Sequence, residues 1–128
     1  MKRRDYRVVS ETERFGAAIS AADLVLARSG STVWEIAAAG RPAIFVPYPF
    51  ATGDHQARNA QHFVRAGGAI MVRELDLADV PDIVRSLLDD PVRLRQMGQA
   101  MSAAARPDAA QEIAEELIAM APQLRPRP

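Results

Sequence analysis

Two clusters of polar residues in this sequence could bind a charged, hydroxyl-bearing ligand. The first, Arg28-Ser29-Gly30-Ser31-Thr32, follows a short apolar run and leads into Val33-Trp34-Glu35. Backbone N–H groups in such a loop, with the positive end of a helix dipole, suit a diphosphate, and Gly30 would let the ligand approach the backbone closely. An ordinary turn with a capping residue has the same composition. The pentapeptide alone leaves both interpretations open.

Glu35 also has two possible roles. The segment Thr32-Val33-Trp34-Glu35 has the spacing of a capping box, in which the Glu35 carboxylate would accept a hydrogen bond from the Thr32 backbone N–H. A carboxylate beside a phosphate-binding loop can instead accept hydrogen bonds from the two vicinal hydroxyls of a ribose. The residues by themselves do not decide between the two roles.

The second cluster is Asp54-His55-Gln56, with Asn59 one helical turn later. Asp54 could be the N-cap of a helix that begins at His55. The side chains of His and Gln can both donate and accept hydrogen bonds, so this cluster suits the hydroxyls of a sugar. The two clusters together predict a site for a phosphorylated, hydroxyl-rich ligand.

Patterns typical of catalysis or metal binding are missing from the sequence. It contains no credible Ser–His–acid set and no acidic pair or His cluster with metal-ligand spacing. It also contains no cysteine, which excludes disulfides, thiolate metal sites and a cysteine nucleophile. We therefore select no catalytic residue and expect neither a metal nor a cofactor.

The elements that must position these clusters follow from the apolar runs. Continuous apolar runs separated by helical segments predict a parallel sheet with crossover helices. The runs are Leu24–Ala27, Ala43–Val46 and Ala69–Val72, with Arg7–Val9 as a weaker candidate before them. Such runs suit strands that are buried on both faces. The predicted fold class is α/β, an incomplete doubly wound parallel sheet with C-terminal helices, which is either the latter part of a domain or a domain whose edge a partner would cover.

Helices are predicted between the strands and throughout the C-terminal part. Their predicted positions are Thr12–Ala22, Thr32–Ala39, His55–Ala66, Asp79–Leu88, and two further helices that begin near Pro91 and Pro107. Gly40 and Gly67 should end two of them in left-handed C-caps. The last helix carries an apolar stripe that we expect to pack on the body of the domain, namely Ile113, Leu117 and Ile118 with Ala110, Ala114 and Ala121.

Length and charge indicate one cytoplasmic domain. The chain has 128 residues, with residues 1–121 as the domain and 122–128 as a flexible tail. Acidic and basic residues balance at 16 each, so no overall field points to nucleic acid or an anionic membrane. No apolar run is long enough to span a bilayer, and the N-terminus has no apolar segment typical of a signal peptide. We expect no nucleic-acid partner and no direct membrane segment.

From about Ala22 to Ala121 the sequence resembles the C-terminal half of the MurG-type peptidoglycan glycosyltransferases. Five motifs in the family's order carry this resemblance: Ala22-Asp23-Leu24-Val25-Leu26-Ala27-Arg28-Ser29-Gly30, Glu35-Ile36-Ala37-Ala38-Ala39-Gly40-Arg41-Pro42, Val46-Pro47, Asp54-His55-Gln56-Ala57-Arg58-Asn59-Ala60 and Ala66-Gly67-Gly68-Ala69. Enzymes of this family are inverting, metal-independent GT-B glycosyltransferases with two domains. They transfer N-acetylglucosamine (GlcNAc) from UDP-GlcNAc to lipid I and so form lipid II.

The resemblance implies roles for the two clusters, because the family's C-terminal domain holds the donor. The backbone N–H groups of Gly30, Ser31, Thr32, Val33 and Trp34 would bind the UDP phosphates. Glu35 would hold the ribose hydroxyls, and His55 and Gln56 would contact the GlcNAc hydroxyls. Thr12, near a loop that would read uracil, and Arg28, Ser29 and Asn59 are secondary candidates for donor contacts.

Other features of the family are missing from the chain. The N-terminal domain, with its acceptor site and candidate base, has no counterpart here, and neither has the beginning of the donor domain. We therefore expect the isolated chain to lack transferase activity and to meet its lipid-linked acceptor through an N-terminal domain or a partner chain. The whole enzyme is expected at the cytoplasmic face of the inner membrane. The alternatives are a donor-binding subunit of a two-chain GlcNAc transferase and a non-catalytic nucleotide-sugar-binding domain.

Overall fold

The fold is an open α/β sheet followed by helices. A computed structural model describes residues 6–50, 55–105 and 109–124. Its elements in chain order are α1 (Phe15–Ala21), β1 (Val25–Ala27), α2 (Val33–Ala38), β2 (Ala43–Phe45), α3 (His55–Ala66), β3 (Ala69–Met71), a 3₁₀ helix (Glu74–Asp79), α4 (Val80–Leu88), α5 (Pro91–Ala104) and α6 (Ala109–Leu124).

The three strands are parallel and their ends lie level with one another. The strand order is β1-β2-β3, and Ala27 is paired with Phe45, which is paired in turn with Met71. Two further bonds continue the ladder into the loops, from the Val46 N–H to the Ala27 carbonyl and from the Val72 N–H to the Phe45 carbonyl, both 2.9 Å. This topology confirms the predicted α/β fold class.

The sheet separates two hydrophobic clusters, as strands buried on both faces require. Successive residues of a strand point to opposite faces, so Phe45 lies in one cluster and Ile44 in the other. The first cluster, under α1, α2, α3 and α5, includes Ile19, Val33, Ile36, Phe63 and Met101. The second, under α4 and α5, includes Val46, Val72, Val80, Leu87 and Met97.

Helix α5 approaches two turns very closely, and glycine makes this possible. Gly40 and Gly67 have positive φ values of 67° and 89°, which confirms the predicted left-handed C-caps of α2 and α3. A Cβ atom on Gly98 of α5 would lie only 2.7 Å from the Gly40 carbonyl oxygen, and one on Gly68 would lie 2.5 Å from Met101 Cγ. Side chains at these positions would force the helix away from the sheet.

Two predictions about the N-terminal part of the chain differ from the structure. Residues Arg7–Val9 form no strand, because their backbone is paired with no strand among the described residues, and Val8 and Val9 are exposed. Helix α1 begins at Phe15 rather than Thr12. At the other end, helix α6 extends to Leu124 and residues 125–128 lie outside the described part, so the domain boundary at Ala121 and the flexible tail stay predictions.

The apolar stripe of α6 does not pack on the body, contrary to our expectation. Ile113, Leu117 and Ile118 are 58%, 57% and 71% exposed. The two hydrophobic clusters are already covered by helices α1 to α5, and none of the three residues belongs to either cluster. No helix among residues 6–50, 55–105 and 109–124 is both long and apolar enough to cross a membrane.

Candidate functional site

The predicted polar clusters meet at the carboxyl edge of the sheet. Because the strands are parallel and end level, the loops that follow β1, β2 and β3 leave the sheet side by side. The loop after β1 contains residues 28–32, and the loop after β2 leads toward α3 through Tyr48. Asp54, the predicted N-cap of α3, lies outside the described residues.

Ser29 joins the loop after β1 to the first turn of α3. Its side chain is fully buried, and its Oγ donates a hydrogen bond of 2.6 Å to the Gln56 carbonyl oxygen. In return, Asn59 Nδ2 donates a hydrogen bond of 3.1 Å to the Ser29 carbonyl oxygen. Gln56 and Asn59 are three residues apart and therefore lie on the same face of the helix. Two hydrogen bonds in opposite directions thus fix the loop against α3.

The Gln56 side chain is held with a defined orientation. Its Oε1 accepts a hydrogen bond of 2.7 Å from the Tyr48 backbone N–H. A backbone N–H can only donate, so the amide oxygen must face Tyr48. The other amide atom, Nε2, lies 3.7 Å from the position that a Cβ on Gly30 would occupy. The donors of the Gln56 amide therefore lie beside Gly30.

The turn before α2 uses some of the predicted phosphate-binding N–H groups and leaves others. The Val33 N–H donates to the Gly30 carbonyl at 3.2 Å, and the Trp34 N–H donates to the Ser31 carbonyl at 3.4 Å. Within the described part of the chain, the N–H groups of Gly30, Ser31 and Thr32 are hydrogen-bonded to no acceptor. The donors that remain for an anion are those of Gly30, Ser31 and Thr32.

The capping box that could have engaged Glu35 is not formed. The Thr32 side chain caps no N–H of α2, and the exposed Glu35 carboxylate makes no hydrogen bond to any described residue. Trp34 next to it has a packing role, because its ring contacts the rings of Phe63 and His62 with centroids 5.2 and 5.6 Å apart. Glu35 therefore stands at the start of α2 with its carboxylate available to a ligand.

Arg28 binds protein groups that lie far from it in the sequence. Its guanidinium forms an ion pair with Glu74, donates to the Val46 carbonyl at 3.4 Å, and lies 5.5 Å from the centroid of the Tyr48 ring. The hydrogen bond between the two side chains raises the pKa of Arg28 and lowers the pKa of Glu74. Glu74 follows β3 on the same edge as the other site residues, and this topological position could have identified it.

Two other predicted site residues make no hydrogen bond to this group among the described residues. Thr12 Oγ1 accepts a hydrogen bond of 3.0 Å from the Arg14 N–H in the segment before α1. His55 is exposed at the first position of α3. Their roles toward uracil and the sugar remain predictions.

A recess of about 390 Å³ adjoins the Gln56 side chain. Its walls come from the loop after β2, the first turn of α3 and the segment after β3, and are formed by Pro47, Tyr48, Pro49, Gln56, Ala57, Met71, Arg73, Glu74 and Leu75. In the part of the chain that the structure describes, no group of three or more His, Asp or Glu side chains is placed to hold a metal ion.

Comparison with protein families identifies the domain. Residues 2–113 match the model of the glycosyltransferase family 28 C-terminal domain. The chain belongs to this family. Several bacterial relatives of this family 28 domain carry the name UDP-N-acetylglucosamine--N-acetylmuramyl-(pentapeptide) pyrophosphoryl-undecaprenol N-acetylglucosamine transferase.

The sequence identity to these relatives is substantial over most of the chain. The chain is 50% identical to the protein of Solidesulfovibrio magneticus over 108 residues. This aligned segment covers 82% of the chain and 29% of that protein. The chain is 45% identical to the protein of Chlorobium limicola over 112 residues. This aligned segment covers 85% of the chain and 31% of that protein. This family 28 domain therefore spans about a third of the length of the relatives that it matches.

A solved structure has the same fold. The crystal structure of Acinetobacter baumannii MurG superposes with a TM-score of 0.79 at 32% sequence identity, over 89% of the chain and 33% of that protein. The open parallel sheet and its helices are thus those of the family 28 C-terminal domain, and the expected resemblance is confirmed.

Proposed function

We propose that this chain is the UDP-GlcNAc-binding part of an inverting, metal-independent GlcNAc transferase that converts lipid I to lipid II. One observation carries the proposal: three unused N–H groups, an exposed carboxylate and an oriented amide lie on the loops and helix starts of one sheet edge. Phosphate, ribose and sugar each need one of these groups. The names of the relatives supply the identity of the substrates.

The diphosphate would bind at the turn before α2. The N–H groups of Gly30, Ser31 and Thr32 can donate to phosphate oxygens, and Gly30 has no side chain to keep the phosphate away. In the transfer reaction, negative charge grows on the UDP leaving group. Backbone donors held in place before the reaction would stabilise that charge without a metal ion.

The nucleoside and the sugar would bind next to this turn. Glu35 has no hydrogen bond within the described part, so its carboxylate can accept from both ribose hydroxyls. Gln56 Nε2, beside Gly30, can donate to a sugar hydroxyl oxygen. His55 would add a second sugar contact from the first position of α3.

The chain would hold the donor but would not complete the reaction. None of the site residues stands out as a base for the acceptor hydroxyl, and orientation of the acceptor requires a second binding surface. That surface would come from another domain of a longer protein or from a partner chain, and the whole enzyme would work at the cytoplasmic face of the inner membrane. The exposed apolar stripe of α6 is compatible with either arrangement, including a two-chain GlcNAc transferase.

Calorimetric titration of the purified chain with UDP, UDP-GlcNAc and UDP-GalNAc tests the proposal. We expect both UDP and UDP-GlcNAc to bind, with UDP-GlcNAc binding more tightly because of the added sugar contacts. Gln56→Ala should weaken UDP-GlcNAc and leave UDP unchanged. The matched control is Gln61→Ala. Gln61 is an exposed residue of the same helix, and among the described residues its side chain is hydrogen-bonded only to Arg65.

Two results would contradict the proposal. If the folded chain bound neither UDP nor UDP-GlcNAc, the donor site would be assigned wrongly. If Gln56→Ala weakened both ligands equally, Gln56 would support the fold of the site and would not contact the sugar. Binding of UDP-GlcNAc by a chain that no acceptor-binding partner can activate would favour the non-catalytic alternative.

A further inference from the structure

We propose that Ser29 and Asn59 are positioning residues that set the sugar selectivity of the site by fixing Gln56. This inference rests on the proposed function, because it assumes that Gln56 contacts the donor sugar. It assigns to Ser29 and Asn59 an action through Gln56, in place of the direct donor contacts that the sequence suggested for them.

The burial of Ser29 is the first observation. Ser29 is the one polar residue in the buried set of the described chain, and burial of a hydroxyl is unfavourable unless it is hydrogen-bonded. Its Oγ donates at 2.6 Å to the Gln56 carbonyl oxygen, which also belongs to the first turn of α3. A buried hydrogen bond between two separate elements restricts the position of both.

The Asn59 side chain makes the second connection. Asn59 Nδ2 donates at 3.1 Å to the carbonyl of Ser29, so the same residue of the loop is bound from both directions. The side chain is half-buried, and its donated bond leaves it aimed at the loop backbone. Ser29 and Asn59 thus hold the first turn of α3 against the loop through two hydrogen bonds, one of them to the Gln56 carbonyl.

The third observation is the fixed amide of Gln56. The Tyr48 N–H occupies Oε1 at 2.7 Å, so the amide presents only Nε2 donors beside Gly30. An oriented side chain loses less rotamer entropy on binding than a mobile one. The arrangement selects ligands that offer a hydrogen-bond acceptor, such as a hydroxyl oxygen, at this point. If the helix backbone moved, Gln56 could no longer bond Tyr48 and the ligand at once.

The test compares two variants with a control. Asn59→Asp keeps the shape of the side chain but replaces the donor by an acceptor, and Ser29→Ala removes the buried hydroxyl. Gln61→Ala on the same helix is the control. The readout is the ratio of UDP to UDP-GlcNAc dissociation constants, with UDP alone as the reference for the rest of the site. We expect each variant to lower this ratio about five- to tenfold while UDP affinity is retained, and Gln61→Ala to leave it unchanged.

A double-mutant cycle separates positioning from a direct contact. If Asn59 acts through Gln56, the selectivity loss caused by Asn59→Asp should disappear when Gln56 is already alanine. A direct sugar contact by Asn59 would give a loss that persists in the Gln56→Ala background, and this result would overturn the proposal. Equal weakening of UDP and UDP-GlcNAc would overturn it as well, because a general loss of structure affects both ligands.

Folding and the proposed function are checked separately. Circular dichroism and thermal unfolding show whether each variant folds. If Ser29→Ala does not fold, the test rests on Asn59→Asp, because Asn59 is only half-buried. Failure of the wild-type chain to bind UDP-GlcNAc contradicts the proposed function. Normal wild-type binding with unaltered selectivity in Asn59→Asp contradicts only the positioning role.

Discussion

The two edges of the sheet use glycine for different purposes. At the carboxyl edge, a Cβ on Gly30 would meet only Gln56 Nε2, at an ordinary contact distance of 3.7 Å. At the amino edge, a Cβ on Gly40 would lie 2.5 Å from Ser102 Oγ, and one on Gly98 would lie 2.7 Å from the Gly40 carbonyl oxygen. Space at Gly30 is open, whereas space at Gly40 and Gly98 is filled by the protein itself.

From this contrast we expect stability and the proposed ligand binding to depend on different edges. At the amino edge, α5 lies in close backbone contact with the turn after α2. The carboxyl edge is connected mainly by side-chain hydrogen bonds, such as those of Ser29 and Asn59, and leaves N–H groups and a carboxylate for a ligand. Substitutions at the amino edge should therefore change unfolding, and substitutions at the carboxyl edge should change binding.

The largest expected effect is on stability, from Gly98→Ala. The new methyl group would collide with a backbone oxygen that cannot move independently, so we expect a loss toward the upper end of about 1–3 kcal/mol in the free energy of unfolding. Chemical denaturation measures it. Gly16→Ala in α1 is the control, because a Cβ there meets no atom within 4 Å. Equal stability of the two variants would remove the distinction between the edges.

Glu35→Ala should have the largest effect on binding. Loss of a charged acceptor for the ribose hydroxyls should weaken UDP by about tenfold, or about 1.5 kcal/mol. Because Glu35 bonds no described residue, its removal should cost the fold no more than the modest helix-dipole term of about 1 kcal/mol. Calorimetry with UDP and thermal unfolding of the same sample provide both values. An unaltered UDP affinity would show that Glu35 is not a ribose contact.

Gly30→Ala should weaken UDP-GlcNAc severalfold and leave the melting temperature close to that of the wild type. The methyl group would fit sterically but would partly cover the Gln56 amide and the neighbouring N–H groups. Titration and thermal unfolding, with Gly16→Ala again as the control, measure the two effects. A marked loss of stability would mean that the carboxyl edge is packed as tightly as the amino edge.

The smallest effect should come from Glu74→Gln and should depend on pH. The ion pair with Arg28 lowers the pKa of Glu74, so the pair stabilises the fold above the ordinary glutamate pKa of about 4.3, and this contribution disappears as the pH falls through the lower pKa of the folded state. Both side chains are partly exposed, so the contribution is small and salt should reduce it further. Denaturation of wild type and variant should show a smaller difference in stability at pH 3 than at pH 7.

Much of the fold follows from local sequence patterns. The three strands lie within one residue of the predicted runs, and α3 has the predicted bounds of His55 and Ala66. These elements have strong signals, namely apolar runs, helical periodicity and glycine C-caps. The prediction of a strand at Arg7–Val9 was wrong because a short β-branched run forms a strand only when a neighbouring strand pairs with it. The α6 stripe shows the same limit, since periodicity predicts an apolar face but not the surface that covers it.

The sequence allowed a prediction of which residues form the candidate site but not of the contacts between them. The resemblance selected Gly30, Glu35 and Gln56, which the fold does bring to one edge. It could not predict that Ser29 would be buried against the Gln56 carbonyl, because this bond joins residues 27 positions apart in sequence. The Arg28–Glu74 ion pair spans 46 positions and depends on the strand order. Such contacts follow from tertiary packing rather than from any local pattern.

The level ends of the three strands have a consequence for how the chain could change in evolution. Because Ala27, Phe45 and Met71 are aligned across the sheet, each loop of the site starts at the same height. One residue inserted within β2 would shift the following loop by about 3.3 Å and turn its side chains to the opposite face. The same insertion beyond the 3₁₀ helix would not move any of these loops. Length variation among related sequences should therefore occur outside the strands, and the distance from each strand end to its site residue should stay constant.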